Sequence, residues 1–154
     1  MSREMEHDQD SFLQNFINSR KQQLNRLAGK YELDLLVLLG SYGTISFEPG
    51  RSDIDLAYLS RKKLQVNEYL QLIRDFSGFF EYDKLDLIDL RHASGLLKFE
   101  IADKGRLLFQ SEQGFFERYR LYCFRYYYDT LKFRKLKKNF FREQLGVLRD
   151  EHSG

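Results

Sequence analysis

Residues 33–60 read LDLLVLLGSYGTISFEPGRSDIDLAYLS. The first seven, Leu33 to Leu39, are apolar at all but one position and do not alternate. That pattern predicts a strand buried on both faces of a covered sheet. The chain then leaves through Gly40-Ser41, passes eleven residues that include its only proline, Pro49, and returns with Asp53 and Asp55 ahead of an apolar run. IDLAYL reads as a second strand. Side chains at i and i+2 share a strand face, so Asp53 and Asp55 project together while Ile54 and Leu56 point to the core.

Outward from this stretch, helices and strands alternate. Phe12, Phe16, Ile17, Leu24 and Leu27 recur at helical spacing over residues 10–29, with Gly29 as a stop. Residues 62–79 repeat the pattern with Leu64, Val66, Leu70, Leu72, Ile73 and Phe76. KLDLIDL, residues 84–90, reads as a third strand. RHASGLLKFEIADKG reads as a short helix ending at Gly105, and RLLFQ as a short strand. From about Gly114 to Arg149 a long helix or a helix pair is expected. With no repeat and no linker, the expectation is one α/β (α+β) domain over residues 1–154, a small mixed sheet flanked by helices.

Two carboxylates held side by side repel unless a cation lies between them or one is protonated. Mg²⁺ takes oxygen ligands and binds through one or two carboxylates together with phosphate oxygens. A Gly-Ser turn lets backbone N–H groups approach a phosphate, and Ser41 adds a hydroxyl. Phosphoryl or nucleotidyl transfer requires both parts. A two-metal site needs a further carboxylate. The third strand offers Asp86 and Asp89 on opposite faces, and alternation alone does not choose between them.

LLGSYG…SDIDLAYL resembles the nucleotidyltransferase superfamily that includes polymerase β. More narrowly it resembles the minimal nucleotidyltransferases that serve as MntA-type antitoxins of HEPN/MNT toxin–antitoxin pairs. KLDLIDLRHASGLLKFEIADKGRLLFQSE is similar to that family's third-acid strand, the short helix after it and the strand that follows, so the likeness spans about residues 30–112. Here the Gly-Ser to Asp-x-Asp spacing is longer by one residue, a small change for a loop. The resemblance implies a polymerase β-like fold in which Gly40 and Ser41 hold nucleotide phosphates. Asp53 and Asp55 would bind Mg²⁺ or Mn²⁺, with Asp86, in preference to Asp89, as third acid. It further implies transfer of AMP from ATP to a tyrosine of a HEPN ribonuclease toxin. Ser52 is expected to brace the strand start. Two alternatives compete: an antitoxin that acts by occlusion alone, and nucleotide transfer to a small molecule. The short segment after the last strand favours a large external acceptor.

Hydrophobic residues make up 42% and charged residues 31%, a soluble balance, and no apolar run approaches a membrane span. The polar N-terminus has no apolar core of a signal peptide. One cysteine, Cys123, excludes an internal disulfide framework and suits a reducing cytoplasm; it is expected to be buried and inert. His7, His92 and His152 are scattered, with no zinc spacing. Arg118 to Arg142 holds nine Lys/Arg against one acid, Asp129, so with a chain balance of +2 the remainder is acidic. Tyr119, Tyr126, Phe133 and Phe140 share a heptad position, an amphipathic face expected to pack partly on the chain's own sheet and to offer its outer end to a partner. The Lys/Arg run reads as a solvated helix face rather than a nucleic-acid surface. Self-association is left open.

Overall fold

The computed structural model describes residues 2–153. The chain order is α1 (Ser2–Ser19), α2 (Lys21–Lys30), β1 (Leu33–Leu39), β2 (Ile54–Ser60), α3 (Val66–Phe80), β3 (Leu85–Asp89), a 3₁₀ turn (Leu90–His92), α4 (Gly95–Lys104), β4 (Arg106–Gln110) and α5 (Phe115–Ser153). The strands form one four-stranded mixed sheet in the order β3-β2-β1-β4. β1 runs antiparallel to β2 and β4, and β2 runs parallel to β3.

β1 is central, and both of its faces are covered. On one face Leu36, Leu38, Ile54, Leu56 and Leu87 pack with Leu13, Leu24, Leu27, Tyr31, Leu72, Phe76 and Phe79 from α1–α3 and the turn after α2. On the other, Leu35, Val37 and Ala57 pack with Ile101 of α4 and Phe116 of α5. This double cover is why the β1 sequence does not alternate. Gly105, between α4 and β4, is set by close approach. A Cβ there would lie 2.3 Å from the Ile101 carbonyl oxygen and 2.6 Å from Val37 Cγ1. The end of α4 can therefore lie directly on β1.

Three elements differ from the sequence reading. The single N-terminal helix expected over residues 10–29 is two helices that break at Arg20, which leaves helical geometry (φ −119°, ψ 20°). Residues 2–9, polar throughout except for Met5, join α1. α3 begins at Val66 rather than residue 62, because Gln65 and Glu68 form a reciprocal capping box there. The segment 91–105 is a 3₁₀ turn followed by α4, which starts where the Ser94 hydroxyl accepts a hydrogen bond from the Leu97 N–H at 3.2 Å.

The C-terminal segment is one helix. Its first part packs chiefly on α4, with Phe99 against Phe124 and Tyr127 at centroid distances of 5.5 and 4.3 Å. Residues 132–146 are exposed throughout, including Phe133, Leu136 and Phe140. Cys123 is buried. His7 and His92 are exposed, and the side chain of His152 lies outside the described residues. No described helix is long and apolar enough to cross a membrane.

Candidate active site

The register of the sheet assembles the acids. Asp55 pairs with Asp86 across the parallel β2–β3 ladder, and Asp89 pairs with Tyr58. Leu85 and Leu87 lie opposite Ile54 and Leu56, so they share the α1–α3 face. Asp86 and Asp55 therefore share the opposite face, toward α4. Asp89 is occupied elsewhere: its carboxylate accepts the Arg91 N–H at 2.9 Å and caps the 3₁₀ turn. Asp53 stands two residues before Asp55, where the Ile54 N–H donates to the Lys84 carbonyl at 2.8 Å and fixes the start of β2 against β3.

Gly40 meets the same acids from β1. Leu39 pairs with Asp55, and Gly40 turns away with φ +74°, a left-handed conformation that favours glycine. A Cβ at this position would lie 2.7 Å from Asp55 Oδ2. The first residue of the Gly-Ser turn is thus in van der Waals contact with a site carboxylate, and any side chain would displace that carboxylate.

The loop between Gly40 and Asp53 is braced along its length. Thr44 donates to the Ser41 carbonyl from both its N–H (2.9 Å) and its hydroxyl (2.6 Å). Tyr42 inserts its ring among Phe16, Phe47 and Phe80, with centroids 5.2–6.1 Å away. The Arg106 guanidinium donates to the carbonyls of Gly40 (3.2 Å) and Tyr42 (2.5 Å). Farther along, the Ser52 hydroxyl accepts the Glu48 N–H at 3.0 Å. The Tyr82 hydroxyl accepts the Gly50 N–H at 3.2 Å and donates to the Ser52 carbonyl.

Gly40, Asp55 and Asp86 open on a cleft of about 390 Å³, completed by Leu39, Ile88, Leu97, Glu100 and Lys104. A larger hollow of about 470 Å³ lies behind the loop, lined mainly by apolar groups such as Met5, Phe12, Ile45 and Phe47. Its one lining carboxylate is Asp8, whereas the smaller cleft gathers Asp55, Asp86 and Glu100. Glu100 and Lys104 were not singled out from the sequence. With Leu97 they lie at i, i+3 and i+7, one side of a helix, a spacing that could have shown them. Arg106 and Tyr82 had no such signal, because what they hold is the backbone of a loop distant in sequence.

Burial pushes the Asp55 carboxyl above its ordinary range, and the charges of Asp86 and Asp53 push the same way. A cation between these groups would relieve both effects. Among the described residues, no three acidic, His or Cys side chains are already gathered into a cage. The strand register is fixed by the ladder, whereas carboxylate rotamers can turn. Asp55 and Asp86 on adjoining strands, with Asp53 just ahead of β2, are oxygen donors of the kind that fit Mg²⁺ or Mn²⁺, ions that also take phosphate oxygens.

Residues 22–114 match the family described as polymerase beta, nucleotidyltransferase, and the chain belongs to that family. Among curated proteins no sequence matches. Solved structures share the fold. One is a toxin–antitoxin crystal structure with AMP-PNP, with a TM-score of 0.62, 24% identity, and coverage of 79% of this chain and 97% of that one. Another is the tri-AMPylated Shewanella oneidensis HEPN toxin in complex with MNT antitoxin, with a TM-score of 0.59, 24% identity, and coverage of 84% and 98%. A third, the toxin–antitoxin MntA–HepT, has a TM-score of 0.58 at 23% identity, with coverage of 84% and 98%.

Proposed function

We propose that this chain is a nucleotidyltransferase antitoxin that moves AMP from ATP onto a tyrosine of a cognate HEPN-type ribonuclease toxin. The observation that carries the reading is the placement of Asp55 beside Asp86 on one sheet face with Gly40 packed against Asp55. Family membership supports nucleotide transfer. The likeness in fold to complexes described with AMP-PNP and with an AMPylated toxin supports the nucleotide and the acceptor.

In this reading Gly40 and Ser41 receive the ATP phosphates. Asp53, Asp55 and Asp86 hold Mg²⁺ or Mn²⁺, which would supply charge neutralisation at the α-phosphate and the pyrophosphate. Asp86, exposed at the rim, takes the proton of the tyrosyl hydroxyl. The tyrosyl oxygen forms a bond to the α-phosphorus as the bond to pyrophosphate breaks. The attached AMP adds negative charge and bulk to the toxin and blocks its RNA site. Activity on ATP and one unpaired thiol suit the cytoplasm.

A second reading, occlusion without catalysis, draws on the absence of a ready-made cage among the described acids. One experiment separates the two. The protein is mixed with α-phosphate-labelled ATP, Mg²⁺ or Mn²⁺ and the HEPN-type toxin, beside the Asp53→Asn/Asp55→Asn variant. Label on the toxin, reduced by about a thousandfold or more in the variant, is expected. A stable complex that neutralises the toxin with no label, and equally well with the variant, would favour occlusion.

A further inference from the structure

We infer that Arg106 is a positioning residue that sets the phosphate-facing side of the Gly40–Gly43 turn from behind the sheet; this rests on the nucleotide reading of that turn. Arg106 pairs with Leu38 across β1–β4, and Leu38 belongs to the α1–α3 face. Antiparallel partners share a face, so Arg106 reaches the turn from the side opposite Asp55 and Asp86. Its guanidinium donates to two carbonyls of the turn, those of Gly40 and Tyr42.

A peptide unit is planar and trans, so its C=O and N–H point in opposite directions. Fixing the Gly40 carbonyl fixes the Ser41 N–H, and fixing the Tyr42 carbonyl fixes the Gly43 N–H. With both carbonyls drawn back to Arg106, both N–H groups turn away from it. Among the described residues, neither the Ser41 N–H nor the Gly43 N–H is hydrogen-bonded within the chain. Two uncommitted backbone donors in one turn, two residues apart, are what an anionic phosphate would use.

The charge is also uncommitted. Among the described residues, no carboxylate lies within ion-pair distance of Arg106. Gly43 packs on it: a Cβ there would lie 3.4 Å from Arg106 Nη1 and 3.5 Å from the Phe12 ring. Asp10 acts on this half-buried guanidinium only from beyond ion-pair distance, so its charge still adds a positive field to the turn. Both bonds leave one nitrogen, Nη2, whose two N–H bonds are held in the guanidinium plane; lysine keeps the charge but not that fixed plane.

The test uses the full chain and its Arg106→Lys and Arg106→Gln variants. Thermal melting checks that each folds. ATP binding with Mg²⁺, the KM and kcat of label transfer, and the amide resonances of residues 40–44 without nucleotide are then measured. Expected for Arg106→Lys is ATP binding weaker by about tenfold or more, the loss of charged hydrogen bonds. KM should rise in step while kcat at saturating ATP changes little, and the Ser41 and Gly43 amide signals should shift more than those of β1. Arg106→Gln should lose more than Arg106→Lys. If the unmodified chain binds ATP and the folded variants bind it equally well, or if those amides do not move, the role of Arg106 is overturned alone. If the unmodified chain binds no ATP, the nucleotide reading fails and this proposal with it.

Discussion

The two faces of the sheet use the same strands for different ends. Apart from Arg106 near its edge, the face under α1–α3 is mainly buried hydrocarbon, with Tyr31, Leu36, Leu38, Ile54, Leu56, Leu72, Phe76 and Phe79 all at 2% exposure or less. The face under α4 and α5 holds a smaller cluster, Leu35, Val37, Ala57, Leu90, Ile101 and Phe116. At one end it gives way to Asp55, Asp86 and an open cleft. Because side chains alternate along a strand, one residue in two can carry charge while its neighbours anchor the backbone that aims it. The fully buried hydrocarbon is concentrated on one face and the candidate site's acids on the other, so substitutions of the two groups should report separately.

The largest stability effect is therefore expected from Phe76→Ala, on the face away from the acids. Removing a fully buried phenyl ring typically costs about 3–5 kcal/mol. Urea denaturation should show that loss, while ATP affinity measured on the folded fraction stays close to the parent value. A large loss of affinity at unchanged stability would break the division between the faces.

Gly40→Ala should do the reverse. The new Cβ would lie 2.7 Å from Asp55 Oδ2, and φ +74° is unfavourable for alanine. The backbone cost is about 1–2 kcal/mol, but the displaced carboxylate belongs to the site. Label transfer should fall by more than the stability change accounts for. Retained transfer in a destabilised variant would show that the contact between Gly40 and Asp55 serves only the fold.

Much of this contrast was legible in the sequence. The unbroken apolar run of β1 announced two covered faces, and the alternation of β2 put Asp55 on the face opposite Ile54 and Leu56. The choice between Asp86 and Asp89 was not legible, because both lie on one short strand and only the β2–β3 register tells which of them faces Asp55. The break at Arg20 was missed because Phe16, Ile17, Leu24 and Leu27 keep helical spacing across it. Arg106 and Tyr82 were invisible for another reason: their partners are backbone carbonyls and N–H groups, which leave no residue pattern.

The smallest expected effect is also the most direct probe of charge on the site face. The Asp55 carboxylate accepts no hydrogen bond from the described residues, and its pKa is raised by burial, Asp86 and Asp53. A carboxyl whose folded pKa exceeds its unfolded pKa binds its proton more readily when folded. Its contribution is then unfavourable at neutral pH and fades as pH falls through the raised folded value toward the unfolded one. Asn does not titrate, so Asp55→Asn should melt slightly above the parent at pH 7 in low salt, and the difference should shrink as pH is lowered into the carboxylate range. Glu100 and Lys104 also line the cleft and stay the same in both proteins, so the difference reports the Asp55 charge together with its repulsion of Asp86 and Asp53. If Asp55→Asn melts below the parent at pH 7, or the gap is independent of pH, then the carboxylate is stabilised where it stands. The case for a cation drawn to this trio would then lose its electrostatic basis.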